Sequence, residues 1–297
     1  MTAGGSLDLG ITIGTKCNFG CRHCLVDREL GSCRISGREV SLQIETINKY
    51  HPRSVIFTGG EPTLCIKEVK RILSSVEKPE ITRFRMVTNG HFAVTPAAAE
   101  KTLKSLKGLS SVQMSYDRFH AEFVPVSHIY NLSAACLKLK LAFSIVSSIE
   151  SPADILFTTA LGLKGVPITL QKILPIGRAK KNKIAYGYKE LELEVLKKKC
   201  PNLGGLVYNC GSGFTVCCAF LASRCDKRGY VHATPEEHWR SPFYKLLSEF
   251  SFGELLRMAG LTVKVLNPAD SAPCALCSRV LPILLRTGIG CDGGLRD

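Results

Sequence analysis

In the run Lys16-Cys17-Asn18-Phe19-Gly20-Cys21-Arg22-His23-Cys24, three thiols stand at C-x3-C-x2-C spacing. That is compact enough for one loop to wrap all three around a metal core, and Gly20 eases the bend. Zinc sites commonly use paired C-x2-C units, and here a fourth ligand would have to come from elsewhere. Three cysteines in one loop suit a 4Fe-4S cluster with three irons held by thiolates and one left open. An open iron is a place for another molecule to bind.

A second set of cysteines follows far downstream: Cys200, then a glycine-bearing, hairpin-like stretch ending at Cys218, then Cys274-Ala275-Leu276-Cys277. Cys217, Cys210, Cys225 and Cys291 are alternative partners for it. The chain has 14 cysteines in 297 residues, a length that buries a full core without staples. The surplus points to chemistry, because clustered cysteines in a reducing compartment are more often ligands or catalytic thiols than disulfides. Cys33, Cys65 and Cys136 fall in or near expected helices and read as small buried hydrophobes. His120 and Glu122 are an acid and base candidate pair, or a polar loop. His238, Trp239 and Arg240 are candidate substrate contacts, or part of a surface helix.

These groups need a scaffold. Apolar, β-rich runs at residues 7–13, 54–57, 84–88, 111–115, 141–147 and 168–174 alternate with helical patterns at 41–50, 66–76, 96–106 and 130–140. Such alternation predicts βα units and a parallel sheet; six strands predict an α/β fold, a partial (β/α)6 TIM-type barrel spanning residues 1–187. Loops at the C-terminal ends of such strands converge on one open face. Cys17 follows the first strand, Gly59-Gly60-Glu61-Pro62 the second, Asn89-Gly90 the third, Asp117 the fourth and Pro175-Ile176-Gly177-Arg178 the sixth. Residues 188–297 read as a smaller cysteine-rich domain, opening with a helix over 190–199.

The cysteine loop followed by Gly59-Gly60-Glu61-Pro62 after a strand resembles the radical S-adenosylmethionine (SAM) superfamily. His23 stands where that family often has an aromatic residue. The resemblance implies that SAM chelates the open iron of a cluster held by Cys17, Cys21 and Cys24. It further implies that Gly59, Gly60 and Glu61 meet the SAM ammonium, that Asn89, Ser115, Asp117 and Ser144 (or Ser147) line its site, and that the run beginning at Leu174 packs on adenine. The segment from Cys200 through Gly213 to Cys218, completed by Cys274 and Cys277, resembles the family's twitch and SPASM domains. That implies a second, auxiliary 4Fe-4S cluster with no open iron, suited to accepting electrons; a zinc site on the same four thiolates is the alternative.

The activity implied is reductive cleavage of SAM to a 5′-deoxyadenosyl radical that abstracts hydrogen from a small-molecule or peptide substrate, with an oxidative outcome. A reductant such as flavodoxin or ferredoxin is the implied electron source. The first strand begins within about ten residues, which leaves no room for an N-terminal leader-binding domain and tilts the expectation toward a small molecule, or a peptide presented by a separate partner. The net charge of +14 keeps RNA as a further reading, although the basic runs lack interleaved aromatics. A zinc-binding module without catalysis is the rival from another class. No signal peptide is evident and no window reaches the roughly 18 apolar residues of a membrane helix, so a cytoplasmic location is expected.

Overall fold

The computed structural model describes residues 7–26, 32–218 and 229–286. Two compact units divide the chain, Met1–Ala185 and Tyr186–Asp297.

In the first unit, strands and helices alternate: β1 (Asp8–Thr12), α1 (Gly37–Tyr50), β2 (Ser54–Thr58), α2 (Ile66–Ser75), β3 (Arg83–Thr88), α3 (Pro96–Lys104), β4 (Leu109–Ser115), α4 (Ser127–Lys138), β5 (Ala142–Ile149), α5 (Asp154–Ala160), β6 (Ile168–Lys172) and α6 (Gly177–Lys181). Each strand pairs in parallel with the next, from β1 to β6. This open, wound sheet is the α/β architecture of a partial TIM-type barrel. Helix starts follow local chemistry. Ser36 caps α1 in a reciprocal box with Glu39, and Thr95 caps α3 ahead of Pro96 at its first turn.

The pleat sorts side chains by parity. Leu9, Ile11, Val55, Phe57, Phe84, Met86, Val112, Met114 and Ile145 are buried on one face, where each large side chain contributes about 1.5–3 kcal/mol. The other face carries Thr12, Thr58, Arg85, Gln113, Ser115 and Ser144, all half-buried. The polar face is the inner one, available for a site. Cys65 and Cys136 are buried as the sequence suggests, and burial pushes the Cys136 thiol up to about 12. Cys33 is different: it is half-buried and disulfide-bonded.

The second unit holds a hairpin of β7 (Gly205–Asn209) and β8 (Gly213–Thr215), paired antiparallel, with α7 (Pro235–Arg240), α8 (Pro242–Glu249), α9 (Phe252–Met258) and α10 (Pro273–Arg286). Phe243, Leu246 and Leu247 from α8, Phe252, Leu255 and Leu256 from α9, and Leu276, Val280, Leu281 and Leu284 from α10 form its core. The helix expected over 190–199 is only a 3-10 turn, Leu193–Lys197. Its pattern, Glu190-Leu191-Glu192-Leu193-Glu194-Val195, alternates with period two rather than 3.6, and Pro201 disfavours helix at the residue before it. Among the described residues, no helix is long and apolar enough to cross a membrane.

Candidate functional site

The cysteine loop leaves β1 and is pinned by backbone atoms from three later segments. The Gly60 N–H donates to the Gly14 carbonyl at 2.8 Å and the Glu61 N–H to the Lys16 carbonyl at 2.9 Å. The Arg178 and Ala179 N–H groups, at the start of α6, donate to the Cys24 carbonyl at 3.0 and 3.3 Å, and the Cys33 N–H donates to Thr15 Oγ1 at 2.7 Å. Glycine is needed at these crossings. A Cβ on Gly60 would lie 2.1 Å from the Lys16 carbonyl oxygen, and one on Gly177 2.1 Å from that of Leu25. Thus the backbone N–H groups of Gly60 and Glu61 are spent on the loop itself.

Within the loop Cys21 is buried, while Cys17 and Cys24 are half-buried. The Phe19 and Val26 N–H groups each lie 3.4 Å from a sulfur, those of Cys17 and Cys24 respectively. Asn89, at the end of β3, donates from Nδ2 to Asn18 Oδ1 at 2.8 Å and to Cys17 Sγ at 3.5 Å. Glu61 is buried and fully engaged. Its Oε1 accepts from the Thr63 N–H and from the hydroxyls of Thr63 and Thr88, and its Oε2 accepts from the Asn89 N–H at 2.8 Å.

Asp117, just past β4, is a second buried hub. Oδ1 accepts from the Phe119 and His120 N–H groups at 3.0 Å and contacts His120 Nδ1 at 2.9 Å; Oδ2 accepts from the Ser148 N–H at 3.2 Å and lies 3.5 Å from His23 Nε2. Burial alone would raise the Asp117 carboxyl, but the His120 hydrogen bond and the two imidazoles hold it below the ordinary range. Burial works against His120 as well, yet its bonds to Asp117 and Cys21 bring it up to about 10. Burial brings His23 down to about 4. His23 stacks on Phe119 with ring centroids 4.5 Å apart, and its Nδ1 is buried without a hydrogen-bond partner. A partnerless ring nitrogen between Cys21 and Cys24 fits a polar group held by those thiols, as an iron-sulfur core would be.

The remaining expected SAM contacts are spread out. Ser115 ends β4 on the half-buried face, and Ser144 sits on the same face within β5, where its hydroxyl accepts from Gln113 Nε2 at 3.4 Å. Ser147 is buried on the opposite face. Leu174 is half-buried, and its carbonyl accepts from the Ile176 N–H at 2.8 Å. Glu122 pairs with Arg22 at 3.1 Å on exposed surface, away from any acid-base role with His120. The sequence reading had set His120 aside; the Asp-x-x-His spacing of a side-chain-capped turn is the local signal that marks it.

In the second unit Cys200, Cys217, Cys218, Cys274 and Cys277 line one apolar cavity, walled by Phe243, Leu247 and Phe252. Cys274 and Cys277 lie one turn apart on α10 and so share a face. Burial, with smaller contributions from neighbouring thiols, pushes Cys200 up to about 11, Cys274 up to about 12 and Cys277 well above its ordinary value; Cys218 is raised too. Cys210 is disulfide-bonded, which removes it as an alternative ligand, and Cys225 and Cys291 lie outside the described residues. Four thiolates around zinc at about 2.3 Å would stand roughly 3.8 Å apart. Among the described residues, the set of three metal-donor atoms within 4.8 Å of one another is His23, Asp117 and His120, not a cysteine set. Both thiol groups are therefore spaced more widely than a single zinc ion requires.

The family model of the radical SAM superfamily matches residues 11–132, from β1 through the cysteine loop to α4. The chain carries a radical SAM domain. As a radical SAM enzyme it resembles YydG of Bacillus subtilis, a protein assigned to peptide biosynthesis, at 25% identity over 222 residues, covering 71% of this chain and 69% of that one. It is 28% identical over 210 residues to a protein of Sulfurisphaera tokodaii assigned as a GTP 3′,8-cyclase, covering 66% and 65%. Solved structures that match include SuiB of Streptococcus suis bound to its precursor peptide SuiA, with TM-score 0.47, 14% identity and coverage of 82% and 67%. Another is anSMEcpe with bound AdoMet and a peptide, with TM-score 0.44, 18% identity and coverage of 57% and 51%. The radical SAM chain thus spans about half the length of that last structure.

Proposed function

We propose that this radical SAM enzyme oxidatively modifies a peptide, using a 4Fe-4S cluster on Cys17, Cys21 and Cys24 and a second one in the five-cysteine cavity of the smaller unit. The observation that carries the first site is the loop itself: three thiols held by distant backbone, with the unpartnered His23 Nδ1 among them. When bound, cluster and SAM supply a 5′-deoxyadenosyl radical by one-electron cleavage of the sulfonium. This chain's residues shape the site around that chemistry. Asn89 orients Asn18 and Cys17, Glu61 locks the end of β3 to the turn after β2, and the half-buried face bearing Ser115 and Ser144 is open to the cofactor and substrate.

Cys200, Cys274 and Cys277, with Cys217 or Cys218, are the proposed auxiliary ligands, as in a twitch or SPASM domain. Four thiolate ligands leave no open iron, so that site would serve electron transfer, taking up an electron from the oxidised substrate. A flavodoxin or ferredoxin would supply the electron for SAM cleavage. The YydG likeness supports a peptide substrate, delivered from a separate partner. A nucleotide is the second reading, favoured by the GTP 3′,8-cyclase relative and the +14 charge.

Anaerobic reconstitution with iron and sulfide counting tests the two sites. Wild type should hold about eight irons and the Cys17/Cys21/Cys24→Ala variant about four. Four falling to none would remove the auxiliary cluster, and zinc without iron in both would overturn the reading. Peptide and nucleotide are separated by incubating each with SAM and reductant and weighing the products: loss of a hydrogen pair from a peptide supports the first reading, and a cyclised nucleotide of unchanged mass supports the second.

A further inference from the structure

The most deeply buried thiol of the loop, Cys21, has a polar neighbour behind it. His120 forms a side-chain hydrogen bond with Cys21. Its Nδ1 rests on Asp117 Oδ1 at 2.9 Å, which leaves Nε2 as the nitrogen that faces the sulfur. Asp117 cannot easily turn away, since three backbone N–H groups, from Phe119, His120 and Ser148, converge on its two oxygens. Its second oxygen faces His23 Nε2 at 3.5 Å, so one carboxylate steadies an imidazole on each side of Cys21. Burying a histidine-carboxylate pair is costly, and an apolar contact would support the loop at least as well.

We propose that Asp117 and His120 form a positioning device that holds an N–H on the Cys21 thiolate and thereby raises the reduction potential of the cluster on Cys17, Cys21 and Cys24. The inference rests on the reading of that loop as a cluster site. A donor to a ligand sulfur draws off negative charge, so the electron delivered by the external reductant is held more favourably; hydrogen bonds to the sulfurs are a known determinant of cluster potential. His120 is the donor. Asp117 acts through it, fixing the ring so that the N–H does not swing to another acceptor.

The test uses the full chain, reconstituted anaerobically, as wild type, His120→Leu, His120→Gln and Asp117→Asn. Iron and sulfide are counted, then the midpoint is measured by titration followed by electron paramagnetic resonance, reading the signal that SAM perturbs and so belongs to the open-iron cluster. His120→Leu should load iron and hold about a tenfold smaller reduced fraction at fixed potential, a midpoint lower by about 59 mV for a one-electron couple. His120→Gln, which keeps an N–H, should recover most of the loss, and Asp117→Asn should fall between. A fully loaded His120→Leu with the wild-type midpoint overturns the proposal alone, as does a His120→Gln that falls as far as the leucine variant. If His120→Leu does not load, an Asp117→Asn midpoint equal to wild type overturns it. Wild type without iron on the loop overturns the cluster reading and the proposal together.

Discussion

Glu61 Oε2 accepts the backbone N–H of Asn89 at 2.8 Å, so the turn after β2 and the end of β3 are joined through one buried carboxylate. Its other oxygen takes donors from Thr63 and Thr88. An amide in its place must aim an NH2 group at one of these donors. Glu61→Gln should therefore destabilise the cluster-free protein by roughly 2 kcal/mol, read by denaturant unfolding; an unchanged midpoint would show that the carboxylate is not the joint described.

Gly60→Ala forces a Cβ to within 2.1 Å of the Lys16 carbonyl oxygen, and the obstacle is backbone that carries the cysteine loop. The loop must shift away from Glu61. The expected result is loss of about four of eight irons with the other unit's complement kept, measured beside Gly204→Ala, whose Cβ meets open space.

Five thiols line the second cavity, one more than a 4Fe-4S core takes. Cys277 is wholly surrounded by the core of α8, α9 and α10, so Cys277→Ser should lose about four irons. Cys217→Ser or Cys218→Ser should keep them, because the neighbouring sulfur remains. Retention of full iron in Cys277→Ser would remove it from the ligand set.

His238 is completely buried, and burial brings it down to about 3 from an ordinary 6.5. A folded value below the unfolded one means the unfolded chain takes up the proton first, so this contribution is intact above pH 6.5 and is lost as pH falls toward 3. At pH 5 the loss is about 2 kcal/mol. His238→Phe should not show that increment between pH 7 and pH 5 in paired unfolding curves; identical pH slopes for the two proteins would refute it.

The parallel sheet was legible because six apolar runs with period two alternate with helical patterns, and the loop because C-x3-C-x2-C is local. The joints were not legible. Gly60 against Lys16 and Gly177 against Leu25 are approaches between segments far apart in sequence, and a glycine in a motif does not announce which backbone it must admit. Asp117 was placed by strand order as a cofactor contact, yet its oxygens face His23, His120 and Ser148, a convergence only folding produces. The 190–199 segment misled because its leucines and glutamates alternate with strand period while its composition favours helix.

The carbonyls of Gly14, Lys16 and Cys24 are held by amides from β2's exit and α6, so the shape of the cysteine loop is a product of the polypeptide before any inorganic group arrives. Zinc fingers take the opposite course and fold around their ion. Here synthesis and loading are separable in time: a chain made in iron shortage is a finished receptacle rather than an unfolded polypeptide, and it can be charged later by whatever delivers iron and sulfide.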